Sequence, residues 1–156
     1  MQLKVGDRAP LFESTADDGN KFSLGDLMGK INVIVYFYPK DFTMGCTKEA
    51  CTFRDDWDRI ASLGATVVGI SSDSVETHSK FKKEHSLPFI LLSDTDRSIR
   101  KMYGVDSRFL APRTTFVIDR QEVIRSVLNS QLNISKHIEE ALDTLSNIEN
   151  KMLSSA

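Results

Sequence analysis

The stretch INVIVYFYPKDFTMGCTKEAC, residues 31–51, decides the fold because it passes from a buried strand into an amphipathic helix. Residues 31–38 are almost all β-branched or aromatic, which is typical of a strand buried on both faces of a sheet. From Cys46 to Ala61, apolar residues recur at helical spacing, which predicts an amphipathic helix of about four turns. A strand that leads directly into a helix indicates an α/β fold.

The rest of the chain continues this alternation of strands and helices. Further strands are predicted at 65–72, 88–94, 114–119 and 122–128, the last two as a hairpin, and helices at 75–85, 97–104 and 135–148. The turn-forming run Asp17–Asn20 predicts an N-terminal β-hairpin. The pattern therefore predicts a mixed central sheet, mostly parallel, with antiparallel edge strands and with helices on both faces.

Length and composition bound the domain organisation. The chain has 156 residues, of which 40% are hydrophobic and 27% charged, as in an ordinary globular domain. We expect one domain over residues 1–150 and a polar C-terminal tail over 151–156, because small and polar residues accumulate from residue 147 onward.

Net charge and hydropathy limit the classes of partner. The formal net charge is −2, so no basic field favours nucleic acid. Residues 1–10 lack the apolar core of a signal peptide, and no run reaches the ~18 apolar residues that a membrane span requires. We therefore expect a cytoplasmic protein that binds neither nucleic acid nor membrane.

Both cysteines of the chain, Cys46 and Cys51, lie in the quoted stretch. With Thr43 as the N-cap, Cys46 is the third helical residue, where unpaired amides and the helix dipole favour a thiolate. On an intact helix the Cα atoms of the two cysteines would be about 8.6 Å apart. A disulfide tolerates at most about 7 Å, so the pair can join only if the first turns unwind.

This arrangement suits a two-step redox cycle on a peroxide. The Cys46 thiolate would attack the O–O bond and become a sulfenic acid, Cys51 would condense with it to a disulfide, and an external dithiol would reset the pair. Donors to the peroxide oxygens would be the Thr43 hydroxyl, the Cys46 amide and a guanidinium, for which Arg113 is the candidate. Glu49 lies three residues from Cys46, within reach of that arginine.

Other interpretations of the cysteines remain open from the residues alone. Cys51 is also compatible with an inert helix position. The pair would also serve a binding module for a soft ion such as Cu(I), with Met44 adjacent, or a general disulfide oxidoreductase. Zinc is disfavoured because His78, His85 and His137 show no ligand-like spacing, and each is predicted to lie on a helix surface.

The spacing Pro-x-x-x-Thr-x-x-Cys formed by Pro39, Thr43 and Cys46 resembles the active-site motif of the peroxiredoxins. The opening VGDRAPLF and the later RTTFVID resemble the same family in the same order, so the similarity covers nearly the whole chain. The second cysteine, Cys51, five residues on, resembles the atypical two-cysteine subgroup called peroxiredoxin Q or bacterioferritin comigratory protein.

The resemblance implies a thioredoxin-like fold and a role for each residue of the motif. By position, the implied roles are Cys46 as peroxidatic cysteine, Cys51 as resolving cysteine, Thr43 and Arg113 as the peroxide-orienting pair, Pro39 as a shield over the pocket, and Glu49 as the residue that orients the arginine.

The resemblance also implies thiol-dependent reduction of hydrogen peroxide and organic hydroperoxides, with no bound cofactor or metal. The implied reductant is thioredoxin or a similar dithiol protein, and we expect a monomer or a weak homodimer. The chain departs from the family pattern at Met44, where many members of the subgroup have proline. It departs also in the turn 120–122, Arg-Gln-Glu, which lacks the glycine often found there.

Overall fold

The structure, a computed structural model, describes residues 3–106 and 113–155. The predicted α/β fold with a mixed sheet is confirmed. The strands are β1 Glu13–Ala16, β2 Lys21–Ser23, β3 Asn32–Phe37, β4 Ala65–Ser71, β5 Ile90–Ser93, β6 Thr114–Ile118 and β7 Ile124–Asn129. The α-helices are α1 Met44–Asp55, α2 Trp57–Ser62, α3 Val75–His85, α4 Ser98–Met102 and α5 Ile134–Ser155.

The strands form one sheet in the order β2-β1-β5-β4-β3-β6-β7. Among the described strands, parallel pairing is limited to the three central ones, β5, β4 and β3, and antiparallel hairpins, β1–β2 and β6–β7, close both edges. The sheet is therefore less parallel than the sequence pattern predicted. The cause is that β6 returns beside β3 in the antiparallel sense, which repetitive strand–helix patterning does not reveal.

Apolar side chains cover both faces of the sheet. All six residues of β3 are buried, as the absence of polar alternation predicted. On one face Ile34 and Tyr36 pack with residues of α1, α3 and α5, and on the other Val33 and Val35 pack with α4 and the N-terminal segment. Tyr36 also stacks on Phe53 of α1, with ring centroids 4.7 Å apart, which fixes α1 against the centre of the sheet.

Two elements differ from their predicted extents. The single helix predicted over Cys46–Ala61 is two helices, because Asp56 leaves the helical region (φ −96°, ψ 9°) between α1 and α2. The helix predicted over 135–148 is longer, since α5 continues to Ser155 and so includes most of the predicted polar tail at 151–156. Glu149 explains part of this extension: its Oε1 accepts a 2.8 Å bond from Arg120, which ties α5 to the β6–β7 turn. Ala156 lies outside the described residues.

The β6–β7 turn forms without the glycine that the family pattern favours. Glu122 takes the left-handed conformation instead, with φ 68°. The carboxylate of Asp119 compensates by accepting from the amides of Gln121, at 2.9 Å, and Val123, at 3.0 Å. Contacts within the turn itself thus compensate for the missing glycine.

Sheet register brings distant parts of the chain to one edge. Phe37, the last residue of β3, pairs with Thr114, the first residue of β6. Because the strands are antiparallel, Arg113 enters the sheet where the chain leaves β3 toward α1.

Across the described residues, none of the helices combines the length and the apolar composition that a membrane span needs.

Candidate active site

Cys46 lies in the first turn of α1, with 1% of its surface exposed. Thr43 is the N-cap in an extended conformation, as predicted, but its hydroxyl donates to the carbonyl oxygen of Lys40 at 2.8 Å and makes no capping bond. The Thr43 side chain therefore leaves the first-turn amides to other acceptors. The start of α1 is positively polarised around the Cys46 sulfur.

Arg113 connects Cys46 to a buried carboxylate. Its Nη2 lies 3.3 Å from Cys46 Sγ, and its Nη1 donates to Glu49 Oε1 at 2.8 Å. A Cβ at Gly45 would lie 3.2 Å from that Nη2, so the glycine leaves the room that the guanidinium uses. The planar fork of arginine suits such a double contact, which a lysine ammonium cannot reproduce.

Glu49 is fully buried. Burial raises the pKa of its carboxyl to about 7, against the opposing effect of Arg113. Within the described residues its Oε2 has no hydrogen-bond partner, and His137 Nδ1 lies 3.8 Å away. This side chain is therefore a buried acid that titrates near neutrality beside the candidate nucleophile.

His137 is buried, so the prediction that it lies on a helix surface is wrong. Its Nε2 donates to the carbonyl oxygen of Ser130 at 2.8 Å, and its Nδ1 lies 2.7 Å from the Thr115 hydroxyl. Burial is the main cause that lowers the pKa of this imidazole, which favours its neutral form. The ring thereby anchors α5 to β6 behind Glu49.

A second buried network holds the loop that connects β3 to α1. Asp41 accepts from the Tyr38 hydroxyl at 2.6 Å and lies 2.6 Å from His78 Nδ1. The Asp41 amide donates to Asp73 at 2.8 Å. His78 is fully buried, so its predicted surface position is also wrong. These contacts fix the backbone that runs through Pro39 into the N-cap.

Oxygen and nitrogen atoms of Asp41, Asp73 and His78 lie close enough to hold a metal ion. Internal bonding already accounts for this group, since His78 Nδ1 meets Asp41 and His78 Nε2 lies 3.0 Å from the carbonyl oxygen of Leu92. Both ring nitrogens of His78 thus have hydrogen-bond partners, and the residue has a structural role: it holds the β3–α1 loop from α3.

Both cysteines are free thiols, and α1 is helical from Met44 onward. Cys51 is half-buried, with its Sγ 3.8 Å from His85 Nδ1. Pro39 is half-buried just after β3, and Met44 is exposed to 89%. The structure thus groups Cys46, Glu49 and Arg113, and it places Cys51 on a separate part of α1.

Comparison with known proteins gives the family. The model of the AhpC/TSA family matches residues 5–127. Peroxiredoxin Q of Sedum lineare is 44% identical over 151 residues, covering 95% of this chain and 81% of that protein. Peroxiredoxin Bcp of Bacillus subtilis is 37% identical over 159 residues, covering 97% of this chain and all of that protein.

A solved structure agrees with these relatives. The crystal structure of peroxidoxin BcpB from Mycobacterium tuberculosis superposes with a TM-score of 0.90 at 36% identity, covering 94% of this chain and 99% of that chain. The thioredoxin-like fold that the resemblance implied is thereby confirmed.

The chain belongs to the AhpC/TSA family. Its similarity to peroxiredoxin Q and Bcp proteins makes it a peroxiredoxin, an oxidoreductase of the thioredoxin-dependent peroxidase class. Of the interpretations left open by the cysteines, the peroxidase is the one that this family supports.

Proposed function

We propose that this enzyme reduces hydrogen peroxide and organic hydroperoxides through a sulfenic acid on Cys46 and a Cys46–Cys51 disulfide within the chain. The observation that carries the proposal is the 3.3 Å contact between Cys46 Sγ and Arg113 Nη2 at the start of α1. A guanidinium and the first-turn amides both favour a sulfur anion, and the thiolate is the form that attacks peroxides.

In the first step, the Cys46 thiolate attacks one peroxide oxygen and the O–O bond breaks. The departing oxygen leaves as water or an alcohol after it takes a proton, and Cys46 keeps the other oxygen as S–OH. Arg113 is the donor we assign to the charge that develops on the peroxide oxygens. The Thr43 hydroxyl would be the second donor once it turns away from the carbonyl oxygen of Lys40, to which it donates in this structure. Glu49 would hold Arg113 in place, and Pro39 would shield the pocket from water.

In the second step, Cys51 attacks the Cys46 sulfenic sulfur, an S–S bond forms and water leaves. In a regular α-helix, Cα atoms five residues apart are about 8.6 Å from each other, so this step requires the start of α1 to unwind. A thioredoxin-like dithiol then reduces the disulfide and is itself oxidised. The oligomeric state of the enzyme, a monomer or a weak homodimer, stays a prediction.

The test is a thiol count and an intact mass before and after one equivalent of hydrogen peroxide. We expect loss of two hydrogen atoms and of both thiols, without a covalent dimer. Cys46→Ser should abolish peroxide consumption, whereas Cys51→Ser should stop at a sulfenic acid that a dimedone reagent traps. Continued turnover of Cys46→Ser with a dithiol donor would refute the proposal.

A further inference from the structure

The imidazole of His85, the last residue of α3, lies beside the Cys51 thiol. His85 Nδ1 and Cys51 Sγ are 3.8 Å apart, within reach of a hydrogen bond to sulfur, and both residues are half-buried. Cys51 occupies the eighth position of α1, beyond the first-turn amides that favour a thiolate at Cys46. Its thiol therefore needs another source of activation before it attacks the sulfenic acid.

Two contacts hold the His85 imidazole at this place. Arg54, three residues after Cys51 on α1, donates from Nη1 to the carbonyl oxygen of His85 at 2.8 Å. The imidazole also packs edge-on against Phe81, with ring centroids 5.1 Å apart, and Phe81 is fully buried. One contact ties the end of α3 to α1, and the other orients the ring from the core.

We propose that His85 is a catalytic residue of the disulfide-forming step, as the base that takes the proton of Cys51. This inference rests on the proposed function, because it assigns a group to the second step of that cycle. Only the thiolate of Cys51 attacks sulfur, so the rate of this step depends on the proton's removal. Neutral imidazole is the side chain best suited to that transfer near neutral pH.

The step balances without a further reactant. His85 Nδ1 accepts the S–H proton, and the Cys51 thiolate attacks the sulfenic sulfur of Cys46. The S–S bond forms, the S–O bond breaks, and the departing hydroxide takes a proton from the imidazolium to leave as water. Cys51 is oxidised and the Cys46 sulfur is reduced, both to the disulfide level.

The cations around the Cys51–His85 pair favour a thiolate on Cys51 but oppose a positive charge on His85. Arg54 faces the pair from α1, where its Nε also meets Asp55 at 3.0 Å. Lys82, which pairs with Asp17 at 3.2 Å, and Lys83 stand in the same last turn of α3 as His85. The C-terminal end of α3 acts in the opposite sense on the ring, because the helix dipole stabilises an imidazolium there.

The test separates the two chemical steps by rapid quenching and mass spectrometry. His85→Phe keeps a ring against Phe81 and the backbone carbonyl that Arg54 binds, but it removes both nitrogens. We expect the reaction of Cys46 with hydrogen peroxide to keep its rate. Disulfide formation near neutral pH should fall about tenfold or more, and the deficit should shrink at alkaline pH, where hydroxide can take the proton in place of the imidazole. Ser79→Ala, an exposed change on the same helix that alters no charge, should leave both rates unchanged.

Chemical rescue distinguishes a base from a packing residue. In His85→Ala, added imidazole should restore part of the rate of disulfide formation without changing the peroxide step. An unchanged rate in His85→Phe, or a loss that is equal at every pH and insensitive to imidazole, would overturn the role of His85 and leave the proposed function standing. Absence of the internal disulfide in the unmodified enzyme would instead refute the proposed function, and this inference with it.

Discussion

Glu49→Gln should remove a pH dependence of stability that originates in one buried carboxyl group. Burial raises the pKa of Glu49 from 4.5 to about 7 in the folded protein. Between these values the folded chain keeps the proton and the unfolded chain has lost it, so rising pH favours unfolding. One pH unit of difference between the two pKa values corresponds to about 1.4 kcal/mol. The free energy of unfolding should therefore fall by about 3 kcal/mol across this range because of Glu49 alone.

The assay is urea unfolding of the wild-type enzyme and Glu49→Gln near pH 4.5 and near pH 8. Glutamine is neutral at both pH values, so the titrations shared by the two proteins cancel in their difference. We expect the stability of the wild type relative to the variant to fall by about 3 kcal/mol as the pH rises. Glu139→Gln, at an exposed carboxylate on α5, is the matched control and should give no such change. A difference that stays constant, or that grows with pH, would refute the reasoning, since it would mean that the Glu49 carboxylate with Arg113 stabilises the fold.

Three further substitutions test the geometry around Cys46. Arg113→Lys should slow the reaction of Cys46 with hydrogen peroxide by about 10²–10³ in stopped-flow measurements, because an ammonium cannot contact Glu49 and the sulfur together; an unchanged rate would contradict this. Gly45→Ala should slow the same reaction, because its methyl group would lie 3.2 Å from Arg113 Nη2 and displace the guanidinium from the sulfur. Faster peroxide reduction in that variant would show that the guanidinium does not need this space. Met44→Pro should stabilise the start of α1 by ~0.5–1 kcal/mol and slow disulfide formation, measured as loss of both thiols over time. Equal or faster closure would mean that unwinding does not limit the step.

Local patterns in the sequence were sufficient for most of the fold. The strand at 31–38 and the helix at 75–85 were predicted nearly to the residue. Burial on both faces of a sheet and the apolar period of a helix both show in the pattern of consecutive residues, so no distant contact had to be known. The Thr43 N-cap followed from the same local logic, since cap preference depends on a single position next to the helix. The site motif around Cys46 was equally compact in sequence.

What the sequence did not reveal depends on contacts between distant residues. His78 meets Asp41 across 37 positions, and His137 meets Thr115 across 22, and no spacing rule marks either partner in advance. Both histidines were therefore expected at the surface, where an unpaired imidazole is usually found. The proximity of Arg113 to Cys46 is also non-local: the chemistry of the peroxide step made Arg113 a candidate, and the family resemblance assigned it to the site.

The pairing of His85 with Cys51 belongs to the same class of non-local contact. Thirty-four positions separate the two residues, and His85 carries no motif of its own. A histidine at the end of an amphipathic helix is consistent with simple exposure. The contact of Arg54 on α1 with the end of α3 brings the imidazole to the thiol, and Phe81 of α3 orients the ring.

The break at Asp56 limits how far a rearrangement of α1 can spread. The helix whose start must open for the two sulfurs to meet, α1, is 12 residues long, about three turns. Beyond the break, α2 keeps its own contacts with β4, and Ile60 stays buried in the core. Because α1 can open while α2 stays folded, the enzyme can go through repeated cycles of oxidation. Its aromatic core is then not exposed to solvent or to other chains.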